Sequence, residues 1–178
     1  MDLSFDMVPE NAKVEKDGEN KFTVTKMGKD EFDCSVGSTV IKPQGVFSAT
    51  ITIIDDCTNL AVGFHQRSNF TTTGDAYAKN KKGKYLHLFS SKLYGEDISM
   101  LGEKTFLGTF NRPGNQVMLK LDFNQGKIVF EAIKRDSLFF GDEPVDTYQL
   151  DFEKNAEWIL AFDLFNENSK FNVEISQN

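Results

Sequence analysis

The strongest constraint on this chain is a two-residue rhythm of apolar side chains that recurs along most of its length. Phe47, Ala49, Ile51 and Ile53 share one face of an extended segment, with Ser48, Thr50 and Thr52 on the other. Val117, Leu119, Leu121 and Phe123 repeat the pattern against Gln116, Lys120 and Asp122. Ile128, Phe130 and Ala132 continue it after the turn Asn124-Gln125-Gly126, and Phe171, Val173 and Ile175 close the chain in the same way. Alternation of this kind buries one face of a β-strand and wets the other. No stretch of a dozen residues carries a convincing 3.6-residue period. Two further runs, Leu60-Ala61-Val62-Gly63-Phe64 and Trp158-Ile159-Leu160-Ala161-Phe162, are apolar on both faces and suit central strands covered from both sides. Weaker strand signals fall at 22–26, 32–41, 85–89, 104–110 and 148–152. Many short strands separated by turns predict an all-β fold, a sandwich or a barrel.

The 178 residues suit one domain, large enough to bury a core without staples. The sandwich is expected over 21–178, with 1–20 an N-terminal extension or a first edge segment. Seventeen Phe against one Trp and four Tyr place much of the apolar area in flat rings, which fit the space between stacked sheets.

A formal net charge of −7 disfavours nucleic acid as a partner, because a phosphate backbone is repelled on average. No run approaches a membrane span. Residues 1–10 lack the basic start and apolar core of an export signal, so an intracellular site is expected, cytoplasmic or nuclear. Cys34 and Cys57 lie in or beside strand-like runs and are expected to be reduced, buried and unbridged. Catalytic machinery is hard to find. His65 and His87 are the only histidines, too few for a zinc site without a cluster of other ligands. His87 alternates within a strand signal, whereas His65 borders a long polar segment and is a candidate surface contact. The acidic pairs Asp55-Asp56 and Asp142-Glu143 read as solvated turns, without calcium-loop spacing. No cofactor, metal or small-molecule substrate is expected.

The order of these pieces resembles a SPRY domain over roughly residues 22–175. The best segment is 116–130, Gln-Val-Met-Leu-Lys-Leu-Asp-Phe-Asn-Gln-Gly-Lys-Ile-Val-Phe, similar to the family hairpin in which an apolar strand ends in Leu-Asp, turns at Gly and resumes before a Phe. Gly45-Val46-Phe47 leading to Ile53, then Leu60 to Phe64, looks like the earlier hairpin, where a Val-Gly pair ends the second strand. Segment 85–95 resembles the stretch after the family's variable loop, and 158–164 with 171–175 the closing strand pair. Gly114-Asn115 stands where Gly-Asp is common, Lys134-Arg135-Asp136 where Asn-Gly is common, and Phe47 near the position of a frequent Trp. These departures mark a divergent member.

The resemblance implies a two-sheet antiparallel β-sandwich of jelly-roll type, and a non-catalytic module that holds a peptide or protein surface with loops at one end of that sandwich, alone or as a subunit of a larger assembly. The loop it points to is 65–83. Within that loop, residue type selects Arg67, Asn69, Phe70, Tyr77 and Lys81 as partner contacts: a forked donor, rigid rings and a cation. Lys79, Lys81, Lys82 and Lys84 form a basic cluster that suits an acidic partner. A second irregular stretch, 134–144, carries Leu138, Phe139 and Phe140, with Phe139 and Phe140 candidate contacts in an apolar patch. The alternative is a carbohydrate-binding, lectin-like module with an aromatic platform.

Overall fold

The computed structural model of the protein describes residues 2–28, 33–55, 57–74, 82–95, 108–136, 147–165 and 169–178. Among these, thirteen strands form two sheets, and the one helical element is a short 3-10 turn at Arg67–Asn69. The strands are β1 Phe5–Met7, β2 Ala12–Lys16, β3 Lys21–Lys26, β4 Cys34–Ser38, β5 Val46–Ile53, β6 Leu60–Gln66 and β7 Gly83–His87. They continue as β8 Lys92–Tyr94, β9 Gln116–Asp122, β10 Lys127–Lys134, β11 Thr147–Asp151, β12 Trp158–Leu164 and β13 Lys170–Gln177. The six-stranded sheet runs β1-β4-β12-β6-β7-β8 and the seven-stranded sheet β11-β10-β9-β5-β13-β3-β2. Every pairing is antiparallel.

The alternating segments become the half-buried strands β5, β9, β10 and β13. Along β5 and β9 buried and partly exposed residues alternate without a break. The β9–β10 hairpin closes at Gly126, whose φ of +73° is the left-handed conformation the turn needs. The runs apolar on both faces become β6 and β12, buried at every residue. Ring pairs join the two sheets: Phe47 meets Phe64 edge-on at 6.0 Å, and Phe162 meets Phe171 at 5.0 Å. Their quadrupoles favour this geometry over a face-to-face sandwich.

Some weaker expectations shift. Segment 32–41 narrows to β4, and 85–89 becomes β7 with Phe89 outside it, 52% exposed in the turn that follows. Most of segment 104–110 lies outside the described residues; its end contributes an isolated bridge, Thr109 to Asp136. Residues 5–7 and 12–16 supply an edge strand to each sheet. Phe5 packs on Phe22 at 5.2 Å and on Phe162 at 5.8 Å. Cys34 and Cys57 are buried free thiols.

Antiparallel pairing sorts the connections between two ends. One end, marked by Cys57, gathers the β1–β2, β3–β4, β5–β6, β7–β8, β10–β11 and β12–β13 connections and the approach to β9. Backbone bonds knit it: Ile54 N–H donates to Lys170 O at 2.9 Å, Cys57 to Asn111 O at 2.9 Å and Met27 to Asn11 O at 2.8 Å. The opposite end, marked by Trp158, carries the β4–β5, β9–β10 and β11–β12 turns and the start of the β6–β7 connection.

Leu121 lies between the sheets with no exposed area. Leu121→Ala should therefore cost about 2–5 kcal/mol of unfolding free energy, measured by urea denaturation. A loss below about 0.5 kcal/mol would be that of a surface position and would contradict the β9 register.

Candidate interaction surface

The outer face of the six-stranded sheet is not open to solvent. Residues 67–74 cross it as a strap. The strap starts where Arg67 N–H donates to Glu157 O at 2.8 Å, and it reaches β4 where Ser35 N–H donates to Thr72 O at 3.1 Å. Its central anchor is Phe70, 9% exposed and packed on Ala61, Tyr85, Ile159 and Ala161. Gly37 makes room for that ring, since a Cβ there would lie 2.7 Å from a Phe70 ring carbon. Arg67 closes the strap with a fork on Asp6, at 2.9 and 3.0 Å, and Nη1 also donates to Ser38 O at 3.3 Å.

This placement narrows the 65–83 loop to a described strap, residues 67–74, between two strands. His65 and Gln66 belong to β6, Gly83 opens β7, and the described part between them lies across a sheet. Phe70 is a packing residue, and the Arg67 fork is occupied by Asp6 within the chain. Asn69 is exposed and its amide donates to Ser68 Oγ at 3.0 Å. Tyr77, Lys81, Phe139 and Phe140 lie outside the described residues, as do Lys79 and Leu138.

Beneath the strap sits a buried polar layer. His65, expected at the surface, has no exposed area. Its Nδ1 faces Gln66 O at 2.8 Å, which assigns the proton to Nδ1 and leaves Nε2 an acceptor without a partner. The Tyr85 hydroxyl is likewise buried and unpartnered. Ser35 Oγ donates to buried Asp163. Burial holds the His65 imidazole below its ordinary pKa, against a smaller opposing effect of the Gln66 carbonyl, and burial also depresses His87. Tyr85 is raised by burial and then by the Asp163 charge. Burial pushes Cys34 up to about 11; Lys26 opposes this, while Asp163 and Asp33 add to it. A thiol so placed stays protonated and inert at neutral pH. No group of three or more His, Cys, Asp or Glu is placed to hold a metal ion among the described residues.

The Cys57 end has a different character. Among the described residues five large apolar side chains are exposed: Val8, Met27, Val40, Phe89 and Ile133. All but Val40 belong to the Cys57 end, in or beside its connections. They escaped selection from the sequence because they lie singly at separate places in it, Val8, Phe89 and Ile133 each beside another apolar residue (Met7, Leu88, Ala132), with nothing local to mark them as exposed. For Phe89 a signal was present, the Ser90-Ser91 pair that ends β7 in a turn; Ser91 sits at φ +55°.

No family model matches the sequence, and no curated protein matches it. Solved structures do. The SPRY domain of human HERC1 aligns with a TM-score of 0.62 at 18% identity, covering 98% of each chain. A human SPRY domain aligns with a TM-score of 0.58 at 12% identity, covering 92% of this chain and 96% of that one. Stonustoxin aligns with a TM-score of 0.60 at 16% identity, covering 98% of this chain and 28% of its own. The chain therefore has the SPRY fold, as its hairpin motifs indicate.

Two expected outcomes follow from the strap. Phe70→Ala should cost about 3 kcal/mol in urea denaturation, as loss of a buried ring does; an unchanged midpoint would return Phe70 to the surface. Both histidines are held neutral in the folded state, so the unfolded chain binds more protons below its ordinary histidine pKa of about 6.5. Their stabilisation is complete above that pH and is lost as pH falls through it towards the depressed folded values. Urea midpoints should decline from pH 7.5 to 5, and His65→Phe should flatten the decline. An equal slope in the variant would exclude His65 as its source.

Proposed function

We propose that the protein is a non-catalytic interaction module that grips a peptide or protein surface with the Cys57 end of its sandwich. The observation that carries this reading is that four of the five exposed large apolar side chains among the described residues, Val8, Met27, Phe89 and Ile133, fall at one end of a rigid scaffold. Exposed apolar side chains grouped among polar loops are the composition of an interface. Loops supply adaptable contacts while the sheets hold them in place. The β10–β11 connection, which carries Phe139 and Phe140, springs from this end between Asp136 and Thr147, so these two residues remain candidate contacts in the proposal. The HERC1 and human SPRY structures share the architecture, which supports the module class. The free, buried cysteines are in keeping with a reducing compartment.

The test is affinity capture of a partner from the native cell, followed by titration with variants. Phe89→Asp should weaken that binding about tenfold or more with an unchanged melting temperature. Phe70→Ala should instead lower the melting temperature. If Phe89→Asp and Met27→Asp both leave affinity intact, the contact surface lies elsewhere.

A further inference from the structure

Phe89 stands in the turn between β7 and β8, and the turn is tied down on both sides of it. Leu88, buried before it, donates its N–H to Leu60 O at 2.9 Å and accepts from Phe110 N–H at 3.0 Å. Ser91, buried after it, donates from Oγ to Gly108 O. Between these anchors lie Phe89 and Ser90. Among the described residues the hold on Ser90 is His87. The Ser90 N–H donates to His87 Nδ1 at 3.2 Å, and Ser90 Oγ lies 2.9 Å from the same nitrogen. One imidazole nitrogen therefore fixes the backbone from which the exposed Phe89 ring projects.

An amide N–H directed at Nδ1 requires a lone pair there, so the imidazole is neutral with its proton on Nε2. A second proton would occupy Nδ1. The Ser90 hydroxyl can rotate to accept from it, but the Ser90 amide cannot, and two N–H donors then face each other. His87 is buried, and burial depresses its pKa. The strand registers place its charged neighbours. Asp163, Ala61, His87 and Lys92 follow one another in one row across β12, β6, β7 and β8. Asp163 is thus two strands away, and Lys92 is exposed. The titratable groups beside this row are Tyr85 and Tyr94, whose ring lies 6.2 Å from the imidazole. Arg135 and Asp136 stand beyond Gly108, on the Ser91 side of the turn. Among the described residues His87 Nδ1 is the acceptor for the Ser90 N–H.

We propose that His87 positions Phe89 for its partner and that protonation of His87 withdraws it, so that the Cys57 end holds a partner at neutral pH and releases it in mildly acidic surroundings. This inference rests on the interaction-module reading, in which Phe89 is a contact, and adds the regulation of that site. The sign is set by the neutral imidazole. The turn is complete above the ordinary histidine pKa of about 6.5, and its hold is lost as pH falls through that value towards the depressed one of the closed turn.

The test is nuclear magnetic resonance on the ¹⁵N-labelled full chain carrying 4-fluorophenylalanine at position 89. From pH 7.5 to 5.5 the Ser90 amide should lose about tenfold in protection against hydrogen exchange, after correction for the intrinsic rate, while the Leu88 amide keeps its protection. The fluorine resonance should shift along the titration curve of the His87 imidazole. His87→Asn places an uncharged acceptor, Oδ1, where Nδ1 stands, and should keep both signals constant with pH. If that variant has a lowered melting temperature, the titration of the unsubstituted protein still decides. A Ser90 amide or a fluorine signal that ignores the His87 titration would overturn the proposal, as would a stable His87→Asn protein that responds to pH like the unsubstituted one. Binding separates this proposal from the reading beneath it. A captured partner that is lost with Phe89→Asp, yet released equally at pH 5.5 by the unsubstituted and His87→Asn proteins, would sink the histidine device and leave the module reading standing. A partner indifferent to Phe89→Asp would remove the contact itself, even where the turn titrates.

Discussion

Burying both faces of β6 and β12 is the condition around which the molecule is arranged. Each strand is seven residues long and has no exposed position, so each needs a layer above it and a layer below. The seven-stranded sheet supplies one, through Phe47, Phe171 and their neighbours. The other comes from the 67–74 strap, held by one deeply seated ring, one ion pair and backbone hydrogen bonds at Arg67 and Thr72. Beside Tyr85 and Ile159 the face under the strap carries small residues, Gly37, Ala61, Gly63 and Ala161, which let the cover sit close. A buried apolar face left bare would attract other molecules, and the strap removes that hazard at the cost of two polar atoms without partners.

Much of the fold was legible because a two-residue period survives wherever one face is wet. The β5, β9, β10 and β13 segments announce themselves in this way, and the Leu121–Ile128 pairing of the central hairpin follows from Gly126. The double-sided runs of β6 and β12 were legible as buried strands, though not what covers their second face. Phe70 sits in a polar stretch with no period, and only the small residues of facing strands hint that a ring must settle there. His65 misled for a related reason. Its position next to a loop says nothing about burial, which depends on the strap returning over it. The short edge strands β1 and β8 have three residues each, too few for a pattern.

The proposed interaction surface was less legible than the fold. Residue type picked out Arg67 and Phe70, which do have the chemistry of contact residues, but the molecule spends that chemistry on itself. The exposed set is scattered through the sequence, at positions 8, 27, 89 and 133. Only the antiparallel topology brings these positions to one end. Chemistry assembled from separate turns leaves no local motif, and so no composition or spacing rule could have found it.

The placement of β13 bears on how the chain reaches this structure. The last strand is not an edge: it lies between β5 and β3 in the middle of the seven-stranded sheet. Val46 and Asn178 also exchange two backbone hydrogen bonds, at 3.0 and 3.1 Å. Until β13 has been synthesised, β5 and β3 have nothing to pair with on their facing edges, and Phe162 lacks the ring it packs against across the sheets. A nascent chain therefore carries two open, β-rich edges until β13 emerges, the condition under which sheets pair with the wrong strand. Closure by β13 makes folding a largely non-local event, slow by the usual dependence of rate on sequence separation. Removing β13 would split its sheet in two instead of trimming it.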